Sequence, residues 1–496
     1  MMAAVLSVLL AIAALTTRPL PNGTPLHVRL TTTVGSYASA PGSLVRAVLI
    51  APVILDGKTV FEAGSTLSGT VKAVTRVGFG VRHETAGLDL EFNQLTPLDG
   101  AAIPISAQVT EVDNSRERVG RDGNIQGVRS TGSLCYRVSG YIRTALQWEV
   151  HAEIADWVIR SFIMELPEPE IYYPAGVELT LALTKPLVAN PAFSYGQQAP
   201  QQLNGDQREE LAGDAADMPY RTQAPTSGRP SDLTNVLFIG SHDQIAAAFS
   251  AAGWTQANPS SFRRRINWIR AAGELRGDVD APMSLLLLNG AEPDMSWEKG
   301  LNDVSKRHHI RIWRESTRWR GQEMWVGAAT RDIDFAYMRP GGRLSHKIEQ
   351  DVDQERDKVA YDLAFTSCGN LLDWVERDDF PRFVRNATGD PIITDGRMVA
   401  VEVNDCDAPR LSTETFDATP LAIHGGLLRR FARREVLSAR NALLRTNPYW
   451  RAYEGSRMLA QWIRRRREPT ASPEVSIESH ASGFFQSLWL AAERMQ

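Results

Sequence analysis

The feature that most restricts the fold is a short phrase that occurs three times: PNGTPLHVRL, EAGSTLSGTV and PAGVELTLAL. In each, a glycine stands three residues before a leucine, and from there the side chains alternate at period two. Glycine permits the positive φ of a tight entry, and alternation sends every second side chain to one face, so each phrase reads as a turn followed by a half-buried strand. Leu88–Phe92 alternates in the same way. Repeated units of this kind build a small barrel or sandwich. The third copy lies far beyond the others. One strand is therefore expected to close the barrel late, around an insert between about 115 and 170 that looks helical near Trp148 to Met164.

The succession NGTPLHVRL, APGSLVRAVL, FEAGSTLSGTV and LDLEFNQLTPLDGAAIPI resembles the β-barrel domain of TrbI-like type IV secretion and conjugation proteins, over residues 21 to about 109. The chain departs from that family in two places: it lacks a Pro-rich stalk before the barrel and a long apolar antenna. The resemblance thus implies an envelope-located scaffold or binding barrel rather than a secretion channel.

Ahead of the barrel, Ala3–Leu15 (AAVLSVLLAIAAL) is uncharged and apolar. It is short for a hydrocarbon layer roughly 30 Å thick but suits a signal-peptide core, so residues 1–18 are expected to be a signal peptide or short anchor. The expected location is the periplasm or cell envelope. No later run reaches the roughly 18 apolar residues of a membrane span. Basic and acidic residues, 54 and 58, nearly cancel to −4, which gives no global field pointing to nucleic acid, and none is expected as a partner. Cys135, Cys368 and Cys406 form no CxxC and allow at most one disulfide; Cys368 reads as a buried, inert thiol.

Residues 189–231, rich in Gln, Pro, Gly, Asn and Asp and without a hydrophobic period, are expected to be a flexible linker after a barrel-like domain over 19–188. A second domain, α/β or α+β, is expected over 232–405. Asn235–Gly240 and Met283–Leu288 read as buried strands, and Ser241 to Gln244 as a capping box opening a helix that Gly253 stops. His308–Arg314 with Glu323–Ala329 reads as one hairpin, and Ile392–Val403, turned at Asp395-Gly396, as another. A helix is expected from about Asp351 to Phe365. The phrases NVLFIGSHDQIAAAFSAAGWTQA, KRHHIRIW, EMWVGAATRD and HKIEQDVDQERDKV resemble the LssY-like C-terminal domain of bacteria. That family's domain has no established activity of its own, so the resemblance implies a fold and an envelope setting without a reaction.

Within this domain His309, Arg311, His346, Asp351, Asp353, Glu355 and Arg356 form a candidate ligand or metal cluster. Imidazole and carboxylate are ordinary ligands, so a divalent metal is conceivable, and a helix N-terminus beside Arg311 favours an anion such as phosphate. His308 and His309 are adjacent on a strand, point to opposite faces and cannot both serve one site. The competing reading is a salt-bridge knot that holds hairpin to helix. HExxH, P-loop and GxSxG patterns are absent.

Residues 406–496 are expected to be a basic helical tail: between His424 and Glu468 twelve arginines face three glutamates, ending in Arg464, Arg465, Arg466 and Arg467 as candidates for a membrane surface. Two functions follow. The first is an envelope scaffold that carries an LssY-like domain to a partner or a membrane surface. The alternative is a hydrolase-like enzyme that acts on an envelope lipid or phosphoester through the His/Asp/Glu cluster.

Overall fold

The computed structural model describes residues 19–55, 58–98, 100–133, 167–188, 203–257, 271–275, 277, 283–338, 343–377, 380–406 and 427–449, together with 452, 453, 456 and 459. The apolar run Ala3–Leu15, Cys135, the helix expected at Trp148–Met164, and Arg464–Arg467 lie outside the described residues.

Six antiparallel strands close the N-terminal barrel: β1 (Pro25–Leu30), β2 (Leu44–Leu49), β3 (Thr66–Thr75), β4 (Gly87–Thr96), β5 (Ile103–Val112) and β6 (Glu178–Leu183). The ladder runs β3-β2-β1-β6-β5-β4, and pairing of β3 with β4 returns it on itself. The late strand β6 enters between β1 and β5, as the distant third phrase predicts. Gly23, Gly64 and Gly176 have φ of +88°, +96° and +98°. Each donates its N–H to the last residue of a neighbouring strand, Leu183, Leu49 and Leu30 respectively. The phrase is therefore a turn that only glycine enters without strain and that pins one strand end to the next. Alternate residues such as Leu26, Val28, Leu67, Leu90, Val109 and Leu181 fill the interior.

The flexible linker expected over 189–231 is corrected over 203–231 by an ordered segment; residues 189–202 lie outside the described residues. From Leu203 the chain is structured: α1 (Gly205–Asp217) opens on a reciprocal Asn204/Gln207 capping box. Its Leu211 and Ala215, four apart on one face, are buried against the second domain beside Leu237, Met324 and Met398. A hairpin of Arg221–Gln223 and Pro230–Leu233 follows. The polar composition concealed a helix that needs only one narrow apolar stripe, because its other sides face water.

The second domain is mostly β. Its sheet runs β8 (Thr255–Gln256), β9 (Met295–Lys299), β10 (Arg307–Trp319), β11 (Gln322–Met338), β7 (Val236–Ile239), β16 (Arg397–Val403) and β13 (Gly369–Glu376), with β12 (Arg343–Ile348) paired to β11. Pairing is antiparallel except between β7 and β16. Every residue of β7 is buried: Val236 and Phe238 face α2 (His242–Ala251) and α3 (Val352–Phe365), and Leu237 and Ile239 face α1. The expected capping box is present, Ser241 accepting from the Gln244 N–H, and Gly253 ends that helix region at φ +81°.

Two expected elements differ. Met283–Leu288 contributes bridges at Leu287 and Leu288 rather than a strand, and Leu285 is exposed. Ile392–Val403 is not one hairpin. β15 (Pro391–Ile393) pairs with β14 (Phe383–Arg385), whereas β16 inserts between β7 and β13. Asp353 redirects the chain here, accepting from the Asp395 N–H at 2.5 Å and the Thr394 hydroxyl at 2.7 Å, and Gly396 follows at φ +78°.

The tail helix α4 (Leu427–Thr446) lies on the barrel, where Leu437 is buried and Arg433 and Arg440 reach the Gly78 and Gly80 carbonyls at 2.6 and 2.9 Å. Among the described residues no helix is long and apolar enough to cross a membrane.

Candidate functional site

The register of three neighbouring strands sorts the polar residues of the second domain into two faces. Lys299 on β9 stands opposite His308 on β10, and His308 opposite Arg331 on β11. This row of cations looks toward the barrel. One residue along, His309 looks the other way, opposite Glu298 and Thr330, as the period of a strand requires.

On the far face His309 Nε2 and His346 Nδ1 meet one carboxylate oxygen of Asp332 at 2.5 and 3.1 Å, with Arg307 at 3.9 Å behind it. Burial, with Arg307 and Arg311 nearby, holds His346 down at about 4 and lowers His309 as well, so both imidazoles are neutral. Burial opposes the Asp332 charge, but His309, His346 and Arg307 outweigh it and keep the carboxyl well below the usual range. Arg311 turns to Asp232 at 3.4 Å and to the Ser284 carbonyl at 2.8 Å.

The expected carboxylates lie elsewhere. Asp351 is the N-cap of α3 and accepts from the Asp353 N–H. Arg356 is buried, as its place on an apolar stripe suggests, and gathers Asp353, Asp357 and Asp395 at 3.2, 2.8 and 2.6 Å. Glu355 points to the other face and meets His308 Nδ1 at 2.6 Å. The seven candidates thus fall into three networks rather than one site, because α3 crosses the barrel-facing side of the sheet while His309 and His346 serve the opposite side. Among the described residues no group of three or more His, Cys, Asp or Glu side chains is placed to hold a metal ion.

Residues 216–398 match the family model of the LssY C-terminus. The second domain is LssY-like. The chain is also similar to the solved structure of ComB10 of the Com type IV secretion system of Helicobacter pylori, at 10% identity over 34% of this chain and 88% of that one, with a TM-score of 0.19. No curated protein matches the sequence.

The LssY-like domain meets the barrel through the cation row. Glu178 of β6 receives Lys299 at 2.7 Å, Lys358 at 2.6 Å and the barrel's own Arg29 at 2.7 Å. Asp362 of α3 shares Lys299 and Lys358 and accepts from the Trp254 indole at 2.9 Å. Asp113, just after β5, takes His308 Nε2 at 2.7 Å and Arg331 at 2.9 Å. Desolvation alone would lower the His308 imidazole; Asp113 and Glu355 overcome it and raise it to about 9, so His308 is charged. Burial likewise opposes the Glu178 charge, and Lys299, Lys358 and Arg29 hold that carboxyl well below its usual range. Backbone-directed bonds extend the seam: Lys306 to the Ser115 carbonyl at 3.0 Å, and the Arg116 N–H to Asn302 at 2.9 Å. Phe365 of α3 packs on Val48 and Ile50 of the barrel.

Sequence reading missed Asp113, Glu178, Lys299, Arg331, Lys358 and Asp362. Lys358 and Asp362, four apart on α3, form a local ion pair, but no local pattern couples them to Glu178, Lys299, Asp113 or Arg331, far away in the chain. Asp332 was hidden too: an unbroken register from the turn at Arg320-Gly321 would set Asp334 opposite Arg307, and only the bulge between Arg314 and Arg318 brings Asp332 there. Two cavities among the described residues are lined by neither Asp332 nor its two histidines. One of about 370 Å³ sits at the hairpin bulge among Asp294, Arg314, Glu315, Thr317, Arg318 and Glu323. Another of about 50 Å³, beside Glu298 and Arg307, has room for water and not for an organic substrate.

Proposed function

We propose that this protein is an exported cell-envelope scaffold in which the barrel holds the LssY-like domain in one fixed orientation and presents it to an envelope partner or membrane surface. The observation that carries this reading is the interdomain seam. Charged groups are taken out of water at a boundary only where each finds a partner, and here cations of the LssY-like domain interlock with Glu178 and Asp113 of the barrel. An arrangement so demanding of alignment suits a module that acts as one body. The hydrolase-like alternative asks for a cleft that opens onto catalytic groups. The buried His309–Asp332–His346 cluster lines neither of the two cavities described, which gives that alternative little support.

Export draws support from the disulfide between Cys368 and Cys406, which ties the end of α3 to the chain just after β16. Such bonds persist in oxidising compartments and are rare in the cytosol. Cell fractionation combined with thiol alkylation of the denatured protein tests the location. The expected result is envelope-fraction protein whose Cys368 and Cys406 react only after reduction. Cytosolic protein with both thiols reactive at once would refute the location.

A further inference from the structure

Helix α4 divides its side chains sharply. Toward the barrel it spends Arg433 on Glu168 and the Gly78 carbonyl, Arg440 on Glu84 and the Gly80 carbonyl, and Arg429 on the Tyr37 hydroxyl. Away from the barrel, Leu428, Phe431, Glu435, Ala439 and Leu443 follow one another at helical spacing and are all exposed. Leu428 is 85% and Leu443 73% accessible, values far above what a leucine keeps when its helix has buried its apolar stripe. On this helix arginines together with Leu437 fix it to the barrel, while Leu428 and Leu443 face out.

The barrel continues this surface. Its loop between β3 and β4 comes so close to α4 that a side chain at Gly80 would collide with Leu437. Gly80, at φ +80°, is flanked by Phe79 and Val81, which are 47% and 69% exposed. Arg429 lies over the Phe79 ring, so the loop that exposes Phe79 and Val81 borders the helix that exposes Leu428 and Leu443. Beyond α4, Tyr449 and Tyr453 are exposed as well.

From this juxtaposition we infer that α4 and the Gly80 loop form a docking edge for an anionic lipid surface. The charge balance selects that occupant. The segment His424–Glu468 carries twelve arginines against three glutamates and no aspartate, and the exposed Glu435 is neutralised by Arg434 at 3.1 Å. Leucine, phenylalanine and tyrosine projecting from a segment with that excess of positive charge suit the boundary between headgroups and acyl chains, where apolar groups insert and the net charge is drawn to phosphate. The inference rests on the envelope location proposed above. Its test uses purified protein, so a wrong location and a wrong surface fail separately.

The full chain is sedimented with vesicles of equal parts phosphatidylglycerol and phosphatidylcholine, and with vesicles of phosphatidylcholine alone. Two variants accompany it, F79S/V81S on the loop and L428S/L443S on the outer face of α4. None of these side chains fills the core, so unchanged melting temperatures are the check on folding. The protein is expected to bind the anionic vesicles more tightly than the neutral ones, and each variant is expected to lose about tenfold or more of that binding. Variants that bind as the parent does, a parent indifferent to lipid charge, or an effect confined to self-association in the absence of lipid would each overturn the inference.

Discussion

Two adjacent histidines on one strand meet opposite fates. His308 faces the barrel, lies between Asp113 and Glu355 and is charged; His309 faces the other way, shares Asp332 with His346 and is neutral. Both are buried, so burial does not distinguish them. The count of carboxylates does: two meet His308, whereas one serves two imidazoles beside Arg307 and Arg311 on the far side. The face that joins two domains is thus held by charge, and the face that closes over the domain's own hairpin by a nearly neutral polar knot. Perturbing each face separately is the way to break this comparison.

The largest effect is expected at Glu178. Replacing it by alanine leaves Lys299, Lys358 and Arg29 buried without their shared acid, and removing one partner of a buried ionic network costs about 3–5 kcal/mol. Barrel and LssY-like domain are expected to lose their common transition and to melt separately in calorimetry. A single transition at the parent temperature would show that the seam is held by its apolar and backbone contacts instead.

Next comes the pH response of His308. Its folded value of about 9 lies above the unfolded value of about 6.5, so its contribution is complete below about 6.5 and is lost as pH rises through about 9. The contribution amounts to about 3 kcal/mol. Denaturant titrations across that interval are expected to show falling stability in the parent and a flatter profile in His308→Gln. Parallel profiles would mean that His308 is not the charged member of the seam.

The same contrast explains what the sequence made legible. The barrel rests on local rules: three glycine turns, three alternating strands and a late closing strand are all visible in consecutive residues, and the structure keeps them. The opposed faces of His308 and His309 follow from strand period alone. His309 and His346 do meet, at Asp332, but their convergence with Asp351, Asp353 and Glu355 did not survive, because it depended on which side of the sheet α3 occupies. That choice is fixed by Val359, Ala360 and Leu363 packing with Ile310, Val399 and Val401, a long-range fit that no spacing encodes. The seam was hidden for the same reason, since Glu178 and Lys299 are joined only after both domains have folded.

The smallest expected effect concerns the neutral face, and it changes sign with pH. At pH 7 His346→Ala removes a contact with Asp332 and is expected to cost about 1 kcal/mol, by denaturant unfolding. In the parent, His346 stays neutral down to about 4 while the unfolded chain takes up a proton near 6.5. A depressed folded value means stability that is present above about 6.5 and is lost as pH falls toward 4. The alanine variant has no such proton to gain. Its deficit is therefore expected to shrink below pH 6.5 and to become a gain of about 1 kcal/mol near pH 5, where the parent's penalty reaches about 2 kcal/mol. A ligand site predicts something different: weaker binding of a divalent metal or inorganic phosphate by His346→Ala, with stability unchanged at both pH values. Calorimetric titration with each probe, beside the two unfolding curves, separates the knot from the site.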